Sequence, residues 1–280
     1  TMGRYYANHD GEDPVVANAM DDYYKPRFAG DELPGHVISQ SLAIADRLDT
    51  LTGIFAIGQM PTGAKDPFAL RRASLSVLRI IIEQKLDLDL KALITEAAKH
   101  HDKSIKAKHA IDSVFDYMLE RLNSYYQDQN ITADVRDAVL SLKPSKPLDI
   151  HNRIHAVSEF RKLDAAESLA AANKRIGNIL KKVEGKISAK VNTKLLQDDA
   201  EKTLNDKLDT LKDTVQTAIN DARYQDALNE LAGLREPVDT FFDEVMVMAD
   251  DEKLKNNRIA LLNQLHGLFM QVADISRLQG

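Results

Sequence analysis

Ile259-Ala-Leu-Leu-Asn-Gln-Leu-His-Gly-Leu-Phe-Met-Gln-Val-Ala-Asp-Ile275 is the stretch that decides the fold class. Ile259, Leu262, Leu265, Phe269, Val272 and Ile275 recur at three- and four-residue steps, which places them on one stripe of a helix and predicts a core-facing side. Similar spacing runs through long segments rich in Ala, Leu, Lys, Glu and Asp, and the 280 residues include only 12 Gly and 8 Pro. The best strand candidate, Val245-Met-Val-Met248, follows Phe241 and Phe242 with no turn between, so it is expected to continue a helix. The reading is all-α, with two helical-bundle domains.

Prolines and glycines divide the first half into a leading helix, a loop at Pro26–Gly35, a helix over about 37–57 and the turn Gly58-Gln-Met-Pro-Thr-Gly63. Asp66-Pro67 signals a further helix running to about Lys85, since Asp caps free amides and Pro suits a first helical position. Lys143-Pro-Ser-Lys-Pro147 is the expected linker, because two prolines in four residues disfavour helix there. The expected domains are therefore 1–143 and 144–280. The second should hold an Ala-rich helix (about 162–183), a charged helix (about 199–220) and two long helices separated by Ala249-Asp-Asp-Glu252.

Composition narrows the function. Cysteine is absent, which removes disulfides and thiolate chemistry and fits a reducing, cytoplasmic setting. No apolar run approaches the roughly 18–20 residues of a membrane helix, so no membrane partner is expected. The opening Thr-Met-Gly-Arg-Tyr-Tyr6 reads as a cut through a larger protein. Net charge is −6 and neither half is basic, so any nucleic-acid surface must be a local patch.

Motifs for chemistry are weak. Adjacent His100 and His101 point about 100° apart on a helix and seldom share a metal. Gly58–Lys65 has the wrong residues for a phosphate loop, so no nucleotide site is expected. Ile44-Ala-Asp-Arg-Leu-Asp49 resembles the last aspartate element of HD-domain proteins, with Asp46 as the aspartate, but the earlier His and His-Asp elements are not recognisable. One carboxylate does not make a multidentate site, so no catalytic residue and no metal ligand are assigned.

A family resemblance rests on ordered blocks: Met2-Gly-Arg-Tyr-Tyr-Ala7, Pro26-Arg-Phe-Ala-Gly-Asp31, Ala45-Asp-Arg-Leu-Asp-Thr50, and Gly58 through Ala73. It continues through Tyr125-Tyr-Gln-Asp128, Ala171-Ala-Asn-Lys-Arg-Ile176, Arg223-Tyr-Gln-Asp-Ala-Leu228 and Phe241-Phe-Asp-Glu-Val-Met-Val-Met248. The whole chain thus resembles the C-terminal portion of bacterial glycyl-tRNA synthetase β subunits. That resemblance implies the distal part of an HD-like helical domain, followed by a DALR-type anticodon-binding domain whose literal signature is missing. It also implies an α2β2 heterotetramer whose α subunit makes glycyl-adenylate from ATP with Mg, while β holds tRNA(Gly). This chain would carry no cofactor of its own, and DNA is not an implied partner.

On the 162–183 helix, Lys174, Asn178, Lys181 and Lys182 fall at i, i+4, i+7 and i+8, with Asn173 and Arg175 beside them. Lysines hold phosphates, whereas Asn and Arg read base edges in unstacked loops. Lys255 and Arg258 mark a second cluster near the start of the last helix. Arg71, Arg72 and Arg79 stay open between RNA contact and pairing with acids such as Asp66 and Glu83. Two other readings remain at this stage: a helical protein-interaction module whose basic faces are merely solvated, and an HD-type phosphohydrolase remnant.

Overall fold

The computed structural model describes residues 2–278 except 29, 64, 103, 104, 106 and 189, so Ala64 of the Gly58–Lys65 turn lies outside the described residues. Every regular element among the described residues is helical, and the one bridge, Thr62 to Lys65, closes a turn. No helix is long and apolar enough to cross a membrane among the residues described.

The chain forms two compact units. In the first, α1 (Met2–His9) and α2 (Pro14–Asp22) replace the single leading helix expected, because Gly11 turns the chain with φ +77° and Asp13 caps the restart. The core is built by α3 (Val37–Ala56), α4 (Leu70–Glu83), α5 (Leu90–His100) and α6 (Ile111–Gln127). Leu51, Leu70, Val77, Ile81, Ile94, Met118 and Tyr126 are fully buried there. Burial pushes the Tyr126 phenol far up, which fits a packing role. Asp66 does start α4, though from a distance: its two carboxylate oxygens accept from the Leu70 and Arg71 amides at 2.8 and 3.0 Å.

The second unit contains α7 (Ala133–Leu140), most of α8 (Pro147–Phe160), α9 (Ala166–Leu180), α10 (Asp199–Asn220), α11 (Tyr224–Ala232), α12 (Arg235–Glu244) and α13 (Glu252–Met270). Ile259, Leu262, Leu265, Phe269, Val272 and Ile275 are all buried, and Ala260, Leu261 and Leu268 join them. So α13 is covered well beyond one stripe. The expected helical Val245–Met248 is a correction: α12 ends at Glu244, Val245 is extended, and burial then alternates, with Val245 and Val247 inside and Met246 and Met248 outside.

The units do not meet at a single cut between 143 and 144. Residues 131–144 belong to the second unit and 145–149 to the first. Hydrogen bonds explain both assignments. The Asp274 amide donates to the Ala138 carbonyl at 2.8 Å, and Asp134 pairs with Arg161 at 3.0 Å, which fixes α7 in the second unit. The Leu90 amide donates to Ser145 O at 2.8 Å, and Lys146 pairs with Asp87 at 2.9 Å, which holds that short segment in the first. Pro147 then serves as the first residue of α8, where its missing N–H costs nothing.

Because α13 is enclosed, Leu265→Ala should lower unfolding free energy by about 2–5 kcal/mol in a urea titration, while exposed Asn256→Ala on the same helix should stay within about 0.5 kcal/mol. Equal effects would show that α13 is not the centre of this core.

Candidate nucleic-acid interface

Helix α9 sorts its residues cleanly. Leu169, Ala172, Asn173 and Ile176 are buried at i, i+3, i+4 and i+7, and Lys174, Arg175 and Asn178 are exposed on the other side. Lys181 and Lys182 lie in the turn just past the helix end, with Lys181 still in helical geometry, so the three lysines and Asn178 share one face as expected. Lys174, Asn178, Lys181 and Lys182 make no side-chain hydrogen bond or ion pair among the described residues, which leaves their donors free for a ligand. Arg175 is held differently: its guanidinium lies 4.3 Å from the centre of the Phe242 ring of α12. That contact restricts its rotamers, and the residue stays exposed. The Phe241-Phe242 pair was legible in the sequence, but its split into one core ring and one half-buried ring under Arg175 was not.

Two candidate residues are corrected. Asn173 is 1% exposed; its Nδ2 donates to Leu169 O at 3.0 Å, and its Oδ1 accepts from His266 Nδ1 at 3.1 Å. Since Asn173 Nδ2 is the group facing the carbonyl, Oδ1 faces the ring, and His266 carries its proton on Nδ1. Arg258 is likewise removed from the RNA surface. Its Nε donates to Glu201 at 2.6 Å, one terminal nitrogen to Asp198 at 2.8 Å and the other to Met246 O at 2.8 Å, with its side chain only 7% exposed. In both cases the signal was present: Asn173 continues the spacing of Leu169 and Ile176, and Arg258 that of Leu261, Leu262 and Leu265. A polar residue in register with an apolar stripe is a buried, paired residue.

Without Arg258 the second cluster disperses. Asn257 is buried and ties to the Asn192 backbone at 2.7 and 3.1 Å, and half-buried Lys255 pairs with Glu252 at 2.5 Å. The surviving surface is therefore the α9 face: Lys174, Arg175, Asn178, Lys181 and Lys182. Among the described residues no group of three His, Cys, Asp or Glu is arranged to hold a metal, and Lys103 of the histidine segment lies outside them.

This face sits inside a recognised class of RNA-binding module. Residues 169–275 match the family model described as DALR anticodon binding domain, and residues 1–141 match the one described as glycyl-tRNA synthetase beta subunit. Curated relatives named glycine–tRNA ligase beta subunit are 54% identical in Aliivibrio fischeri, 55% in Aeromonas salmonicida and 52% in Vibrio parahaemolyticus, each over 99% of this chain. The chain belongs to the glycyl-tRNA synthetase β-subunit family. It spans 40% of the length of these relatives.

Two outcomes are expected. Arg258→Met should cost about 3–5 kcal/mol in a urea titration, because the Glu201 side chain, 0% exposed, would keep its charge without a cationic partner. Loss of RNA affinity with an unchanged urea midpoint would instead place Arg258 at the RNA. For His266, burial and the nearby Lys181 charge lower the imidazole pKa below its ordinary 6.5, with Asp274 opposing. Above pH 6.5 the ring is neutral whether folded or not; as pH falls below 6.5 the unfolded chain binds its proton first, so stability declines toward the lowered folded value. His266→Gln should flatten that part of the stability–pH curve; an unaltered slope would contradict it.

Proposed function

We propose that this chain is the tRNA-holding region of a glycine–tRNA ligase β subunit, which positions tRNA(Gly) for aminoacylation by the α subunit within their heterotetramer. The supporting observation is the α9 face, where lysines with no acidic partner among the described residues stand beside an arginine braced on Phe242, inside the residues that match the anticodon-binding module. Lysine ammonium groups bind backbone phosphates and release counterions, which supplies affinity. Arg175 and Asn178 offer directional donors and an acceptor, which suits the edges of splayed anticodon bases. ATP, Mg and glycine handling are assigned to other parts of the ligase, and the setting is the cytoplasm.

The solvated-module alternative predicts no RNA affinity. Filter binding of tRNA(Gly) to the chain, with Lys174, Arg175 and Lys181 all changed to Ala, tests the choice. Affinity should fall on the order of 100-fold near 0.1 M salt, and the slope of log affinity against log salt should lose about 2–3. Binding that ignores both salt and these substitutions would overturn the proposal.

A further inference from the structure

A second cationic feature lies wholly in the first unit. A cleft of about 300 Å³ is lined by Arg71, Arg72 and Arg79 of α4 and Arg121 of α6, with Phe28 and Ser76 completing its wall. Among the described residues no Asp or Glu lines it, although acids outnumber bases in this chain, 43 to 37. Helical spacing creates the wall, since Arg72, Ser76 and Arg79 fall at i, i+4 and i+7.

The sequence left these arginines open between RNA contact and acid pairing, and the side-chain partners divide them. Arg79 is paired, its Nε 2.8 Å from Glu83. Arg71 donates to the Gly63 carbonyl, which satisfies hydrogens without neutralising charge. Arg121 pairs with Glu120 through one terminal nitrogen at 2.8 Å, while its Nε is buried with no partner. Arg72 is exposed and makes no side-chain hydrogen bond or ion pair among the described residues. Positive charge thus remains uncompensated on the cleft wall.

Aromatic residues also border the cleft. Arg47 donates to the carbonyls of Tyr23, Tyr24 and Lys25, all at 3.0 Å, and Asp31 accepts from the Arg27 and Glu32 amides at 2.7 and 2.9 Å. Beside this bonded backbone, Phe28 is 64% exposed and lines the cleft. A neighbouring cleft of about 260 Å³ shares Pro26, Arg72 and Ser76, and adds exposed Tyr24 and Phe68, together with one acid, Asp46. The two clefts adjoin along these shared residues, and arginines and exposed aromatic rings line both.

We infer that this groove is a second RNA-binding surface, in which Arg71 and Arg72 hold backbone phosphates and Phe28 stacks on an unpaired base. A small anion needs the charges alone; a groove with stacking rings along it suits a polynucleotide strand. The inference rests on the tRNA reading above but uses none of the α9 residues.

The test is filter binding of tRNA(Gly) and of an unrelated tRNA to the intact chain across a salt series. Arg72→Ala should weaken both tRNAs by about 5- to 10-fold and lower the salt slope by about 1, and Arg72→Lys should restore most of the affinity. Phe28→Ala should weaken binding about tenfold without changing the slope. Among the described residues Arg72 has no side-chain hydrogen-bond or ion-pair partner to lose, and an unchanged urea midpoint confirms an intact fold. If Arg72→Ala and Phe28→Ala bind like the parent while the α9 substitutions weaken binding, the groove is overturned and the proposed function stands. If the α9 substitutions are silent and Arg72→Ala weakens binding, the groove stands and the α9 placement falls. No binding by the parent chain overturns both.

Discussion

The second unit is organised around the buried ion pair between Arg258 and Glu201. Glu201 uses its other oxygen to accept from the Gln197 and Asp198 amides at 2.7 and 2.9 Å, so one carboxylate both caps α10 and neutralises an arginine of α13. Arg258 then reaches Met246 O, which fixes the extended segment after α12. Three elements distant in sequence are held in one register by two charged side chains. A buried pair of this kind is weak evidence for net stability, because desolvation offsets much of the attraction. What it supplies is a constraint, since any shift of α13 by one residue would strand both charges.

That constraint bears on function through α12 and α9. Val245 and Val247 pack inward only because the chain becomes extended after Glu244, and this ends α12 with Phe242 beneath Arg175. The α9 cations are therefore presented on a frame that is fixed by packing. On the inner side of the same helix, Asn173 and His266 satisfy each other, so the polar residue that seemed to belong to the cationic face serves the core. Free cations outside and paired polar groups inside are two sides of a single helix.

The helical class, α3, α10 and the enclosed α13 were readable because apolar periodicity reports burial directly, and the family blocks were readable as ordered residues. Asn173 and Arg258 were misplaced because neighbouring cations drew attention to charge, whereas their register with Leu169, Ile176 and Leu261 carried the decisive information. The Val245–Met248 reversal has a different cause: four apolar residues after a helix fit either period, and the extended form goes with burial of Val245 and Val247 and with the Met246 carbonyl contact to Arg258. The unit boundary was hidden for a third reason. Prolines mark where helices stop, but the side of a boundary on which residues 131–149 fall depends on hydrogen bonds to Asp274 and Leu90, which are far away in sequence.

The most direct test of the central claim is ribonuclease footprinting of tRNA(Gly) bound to the chain, before and after Lys174, Asn178 and Lys182 are changed to Ala. The account predicts protection of the anticodon arm by the parent and selective loss of that protection in the variant. An anticodon arm protected equally by both proteins would contradict it.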